Sequence, residues 1–166
     1  MIADRWGVTP AETTRPYPCD AFAPDPVLQA WRGVTVRTTP ERVWPWLVQI
    51  RLAPYSYDLV DNLGRHSPRE LRSLPTPVVG DPFTATAGRA QGEVLAVDEG
   101  RALTGRILGA VMSYVLEPGP DANTRLLQKI VMQRGRVLAP LVAVGDLVMA
   151  RKQLLTLQGL AEGELH

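Results

Sequence analysis

The chain has little of what usually announces a chemistry. Cys19 is the one cysteine in 166 residues, so there is no disulfide framework and no cysteine-built metal site. His66 and His166 are its two histidines, too few for a zinc centre built on imidazoles. Net charge is close to zero, +1 from 18 basic and 17 acidic residues, without the basic surplus of a nucleic-acid domain. The basic residues Arg134, Arg136, Arg151 and Lys152 are too scattered for a phosphate or DNA site and read as a solvated surface. The most apolar run, Val137 to Ala150, is too short to span a bilayer and contains Asp146. The opening MIADRWGVTP lacks the apolar stretch of a secretion signal, so a cytoplasmic protein is expected. GxSxG, GxGxxG, P-loop and HExxH patterns are missing, so no nucleophile motif stands out; no cofactor and no metal are expected.

What remains is an ordinary globular composition, 45% apolar and 21% charged, long enough for a sizeable core. Pro10, Pro16, Pro18, Pro24 and Pro26 mark residues 1–30 as an extended N-terminal arm. A helical turn is expected at Pro10–Thr14, behind Thr9. Trp6, Tyr17 and Phe22 give the arm aromatic pins that a floating tail would lack. Residues 31–166 read as a single domain. Trp31–Arg37 alternates as a strand. Thr39 is a candidate N-cap and Pro40 suits the first position of a helix, PERVWPWLVQI, with Val43, Trp44, Leu47 and Ile50 inward. Pro45 lies early enough in it to remove little hydrogen bonding. Ala53-Pro54 breaks the chain. A second short helix, SYDLVDNLG, is expected to end at Gly64. After the loop rich in prolines from Pro68 to Pro82, FTATA, EVLAVDE, RALTGRIL, AVMSYVLE and TRLLQKIVMQ read as strands, with turns at Asp98–Arg101 and Pro118–Asn123.

The longest helical run is Pro140–Gly163. A wheel of about 100° per residue places Leu141, Val144, Leu147, Val148, Leu154 and Leu155 on one side and Asp146, Gln153 and Thr156 opposite. Arg151 and Gln158 fall within the apolar side. A buried guanidinium without a partner is very costly. Arg151 is therefore expected to be mostly buried, against a carboxylate such as Asp58 or Glu93 or against a cavity. The element order predicts an α+β helix-grip fold. A curved antiparallel sheet of about six strands wraps the long C-terminal helix, and the two short helices close one end of a hollow.

TPERVWPWLVQI, YSYD with DNLG behind it, the strand meander and GDLVMARKQLL together resemble the SRPBCC superfamily (START-like, polyketide-cyclase-like), in an actinobacterial-type branch. The resemblance covers about residues 30 to 160. It implies a helix-grip fold around a pocket for apolar or amphipathic small molecules, and no catalytic residue set, because fold does not carry function. This chain has RLAP where members of the branch place a glycine-rich loop before YSYD.

Several residues are candidates for lining such a site, each with a plainer alternative. Arg151 would hold an anionic or carbonyl group; the alternative is an internal ion pair. Tyr55, Tyr57 and Asp58 would donate to a ligand oxygen or act as a base; the alternatives are packing at the rim and a carboxylate at a helix N-terminus. His66 would be a general base, but Arg65, Ser67, Pro68 and Arg69 around it read as an exposed loop. Trp44 and Trp46 point to nearly opposite faces, one to the core and one to the groove or arm. Tyr114 sits mid-strand and faces either the hollow or solvent. Three readings follow. The first is a binder of a lipid-like or polyketide-like small hydrophobic ligand. The second is a cyclase, dehydratase or hydrolase using Asp58 or His66 with Arg151. The third is a protein-interaction module with an exposed apolar patch. Oligomeric state is left open.

Overall fold

The structure is a computed structural model that describes residues 4–58, 62–133 and 139–164; side chains of the last helix are described from Met149 onward. The elements are β1 (Arg5–Trp6), α1 (Pro10–Thr14), β2 (Leu28–Val36), α2 (Pro40–Val48), β3 (Thr84–Thr86), β4 (Arg89–Gln91), β5 (Glu93–Asp98), β6 (Ala102–Ile107), β7 (Ala110–Pro118), β8 (Thr124–Met132) and α3 (Ala139–Glu162). Six strands form one sheet in the order β1-β2-β8-β7-β6-β5, and β3 pairs with β4 in a separate hairpin. All pairings in the main sheet are antiparallel except β1 with β2. The helix α3 packs on β2 and α2. This is the expected α+β helix-grip arrangement. Among the described residues no helix is long and apolar enough to cross a membrane.

Alternation along the strands divides the sheet into two faces. Val34 and Val36 of β2, Leu103 of β6, Tyr114 and Leu116 of β7 and Leu126 of β8 face α2 and α3 in the main core. Trp31, Val111, Leu127 and Val131 face the opposite way and meet Tyr17, Cys19 and Ala23 of the arm. The residues that the period-2 pattern places one apart therefore serve two different cores.

The arm is more ordered than expected from its prolines. Its start supplies β1, which pairs in parallel with Trp31 and Arg32, and β2 begins at Leu28, inside the segment expected to be irregular. Helix α1 forms where expected. The Thr9 hydroxyl accepts from the Glu12 N–H, and the Glu12 carboxylate accepts from the Thr9 N–H, a reciprocal cap. A 3-10 turn, Pro18–Phe22, then drops Cys19 onto the sheet. Gly33 allows the arm to cross closely, since a Cβ there would meet Val8 and Leu127 within 3.0 Å.

In α2 the inward set holds: Val43, Trp44, Leu47 and Ile50 are all buried. Thr39 occupies the N-cap position with extended backbone, but its side chain makes no cap bond. Trp46 is buried beside Trp44 in the same core, so the expected split of the two rings between core and groove does not occur. The second short helix falls partly on residues 59–61, outside the described residues. Asp58 is helical, and Leu63 (φ 50) and Gly64 (φ 79) end the segment, with the Gly64 N–H donating to the Asp58 carbonyl at 2.7 Å.

The wheel of α3 is where the expectation fails most. Ala150, Leu154, Leu157, Leu160 and Ala161 are buried, while Leu155 is 39% exposed. Arg151 is exposed, not buried, and its guanidinium stacks 5.0 Å from the centre of the Trp6 ring. Gln153, placed on the outer side by the wheel, points inward. Gln158 donates to the Thr35 carbonyl of β2 at 2.9 Å. The first half of α3 is apolar on nearly every side, so the wheel had no polar stripe to fix its rotation. The side chains of Leu141, Val144, Asp146, Leu147 and Val148 lie outside the described residues.

Candidate functional site

A hollow of about 130 Å³ remains between the sheet and α3. Phe83, Ile107 and Met112 form apolar walls, and Met149 and Ala150 of α3 line its helix side. The polar side chains are Tyr114 and Gln128 of the middle strands, Gln153 of α3, Thr84 of β3 and Ser56. Strand register sets Arg32 of β2 opposite Gln128 of β8, and Gln128 opposite Tyr114 of β7. One polar row thus crosses the inner face beneath the helix.

The row is wired to α3 by Gln153. The Tyr114 hydroxyl donates to Gln153 Oε1 at 2.5 Å, and Gln153 Nε2 donates to the Pro54 carbonyl at 2.6 Å. Helix, sheet and the loop after α2 meet through this one amide. Gln128 is 1% exposed, and its Nε2 has only a weak contact with Met112 Sδ at 4.0 Å. Its Oε1 accepts no hydrogen bond among the described residues. An unpaired buried acceptor costs about 1–3 kcal/mol, and among the described residues that line the hollow this atom alone is buried and unmatched. Arg32, fully buried, is the inner cation that Arg151 was expected to be. Its Nη1 donates to the Asp4 and Trp31 carbonyls.

The other candidates fall elsewhere. Tyr55 is buried and structural: its hydroxyl accepts from Gln49 Nε2 and donates to the Pro68 carbonyl, both at 2.7 Å. Burial pushes its phenol up to about 12. Tyr57, Asp58 and His66 line a separate outer groove of about 430 Å³ with Lys152 and Thr156. Both Asp58 carboxylate oxygens accept from Ser67, from its N–H at 2.9 Å and its hydroxyl at 2.6 Å. His66 is solvated, 3.7 Å from that carboxylate. Ser56 borders both the hollow and this groove. Glu93 pairs with Arg106 on the surface, far from the role considered for it. Among the described residues no cluster of His, Cys, Asp or Glu could hold a metal ion. Gln128, Gln153 and Arg32 went unnoticed as site residues. The available signal was strand alternation: Arg32 and Gln128 are two residues from Val34 and Leu126 or Ile130, inside otherwise apolar inner positions.

No sequence family and no curated protein matches the chain. Solved structures do. A Polyketide_cyc-like protein of Corynebacterium glutamicum superposes with a TM-score of 0.51 at 15% identity, over 85% of this chain and 94% of that one. The chain shares the fold of this Polyketide_cyc-like protein. Proteins from Staphylococcus saprophyticus (TM-score 0.59, 11% identity, 84% and 96% covered) and Mesorhizobium loti (0.56, 19%, 82% and 98%) share this helix-grip arrangement. At these identities the likeness is one of fold, and it names no occupant for the hollow under α3.

Proposed function

We propose that the protein binds a hydrophobic or amphipathic small molecule in the hollow between the sheet and α3. The observation that carries this reading is the polar cluster of Tyr114, Gln153 and the Pro54 carbonyl set in mostly apolar walls. A ligand site is built this way: apolar surface supplies affinity, and a few fixed polar groups supply orientation. Of the residues singled out in the sequence, Tyr114 takes the orienting role. Tyr57 and Asp58 sit in the groove that meets the hollow at Ser56, which makes that side the entrance. Arg151, out on the Trp6 ring, is left with a structural role. The acid–base alternative draws no support from Asp58, whose two oxygens are engaged by Ser67.

Native mass spectrometry of the purified protein, with extraction and identification of anything retained, tests the reading. A retained apolar molecule that is lost in Ala150→Phe, which fills the hollow, is the expected result. A protein that retains nothing, binds none of a panel of aromatic and aliphatic probes, and crystallises with this space packed solid would sink it.

A further inference from the structure

The chemistry of the hollow narrows its occupant, an inference that rests on the binding role proposed above. Three features act together. The space, about 130 Å³, is the size of a cavity that holds one aromatic ring, since about 150 Å³ takes benzene. None of its described lining residues is charged. And among its described lining residues one buried polar atom is left unmatched, Gln128 Oε1, which can only accept. A carboxylate is therefore the wrong head group: it would bring a second acceptor to an acceptor, and a charge to a lining that holds none, since the buried Arg32 of the same row lies outside that lining and donates to the Asp4 and Trp31 carbonyls. A bare hydrocarbon would leave Gln128 unpaired. We propose that the hollow takes a neutral, ring-sized group bearing a hydroxyl or N–H, a phenol in its simplest form, which donates to Gln128 Oε1 while its ring packs on Phe83, Ile107 and Met112. A single water is a poorer match, because it would leave the apolar surfaces of Phe83, Ile107 and Met112 without packing partners.

Four one-ring probes test this by NMR titration of the full chain: phenol, anisole, toluene and benzoate. Anisole keeps the ring and the oxygen but cannot donate, so it isolates the hydrogen bond without any substitution. Phenol is expected to bind about five- to tenfold more tightly than anisole or toluene, with benzoate weakest. Gln128→Leu is expected to abolish the preference for phenol while toluene binds as well or better. Equal affinity for phenol and anisole, or a preference for benzoate, overturns the inference and leaves the binding role standing. So does binding of a twelve-carbon alcohol by a protein that ignores phenol. Failure of all five molecules overturns both the inference and the binding role on which it rests.

Discussion

The two faces of the sheet are built from the same strands and solve burial differently. On the outer face the arm is held by charge. Lys129, 5% exposed in its side chain, meets the Asp20 carboxylate at 2.6 Å and lies 5.1 Å and 5.6 Å from the ring centres of Trp31 and Tyr17. Arg125 reaches Glu12 at 2.7 Å. A cation buried in this way survives because a carboxylate and two aromatic faces replace its water. On the inner face α3 is held mostly by apolar contacts and the Gln153 relay, with Gln158 on the Thr35 carbonyl and the Arg37–Glu162 ion pair at 3.0 Å fastening its far end, and a gap is left with an unmatched acceptor at its wall. The lesson is that buried polarity by itself does not mark a site. Lys129 is a buried charge, yet it is matched and fastens the arm; Gln128 is neutral but unmatched, and it lines the hollow.

Substitutions can break this comparison. The largest effect is expected from neighbours on β8 that point to opposite faces. Leu126→Ala opens the inner core and Leu127→Ala the outer one; both residues are fully buried. Each should cost about 2–5 kcal/mol in urea unfolding. If Leu127→Ala costs almost nothing, the arm is no real second core.

Next, Asp20→Ala strands the Lys129 ammonium and should cost about 3 kcal/mol, whereas Lys129→Met should stay within about 1 kcal/mol of the parent, because an apolar side chain of similar length replaces a matched ion. Equal losses from the two would show that the pair is not what fixes the arm.

Gly105 of β6 sits under the Phe83 ring, which a Cβ at that position would overlap. Gly105→Ala should cost about 1–3 kcal/mol and displace Phe83 at the hollow, weakening probe binding there while Tyr17 and Trp31 keep their environment.

The smallest effects are expected from pH, and they separate the faces by sign. The Arg125 hydrogen bond holds the Glu12 carboxyl below its ordinary value, so its contribution is present above the ordinary carboxylate range and is lost as pH falls through the folded value. Burial raises the Tyr55 phenol to about 12, so its contribution is complete below the ordinary phenol range, about 10, and is lost as pH rises from there through about 12. Glu12→Gln should flatten the acid limb of the unfolding midpoint and Tyr55→Phe the alkaline limb. An acid limb that Glu12→Gln leaves unchanged would remove Glu12 from the account.

Much of the architecture was legible. Alternation located four strands of the meander, β5 to β8, and FTATA as β3, which pairs with β4 outside the main sheet; Pro40 and the Thr9 cap located two helix starts, because these signals are local and each residue's own conformational preference carries them. Two features were misread for the same reason. Arg151 and Gln153 lie two residues apart on α3, about 200° around the helix, and which of them faces inward depends on what the helix rests against. The arm was read as irregular from its prolines, yet β1 exists because the exposed edge of β2 offers it backbone partners.

From sequence alone came the class of fold, the order of its elements and the lack of any familiar catalytic motif. Only the tertiary structure decided which polar side chains share an interior. Arg32, Gln128 and Tyr114 lie on three strands, and the register that aligns them is a property of pairing across the sheet. Whether a buried glutamine is matched depends on atoms distant in the chain, so the unmatched oxygen could not be read before the strands and α3 were packed together.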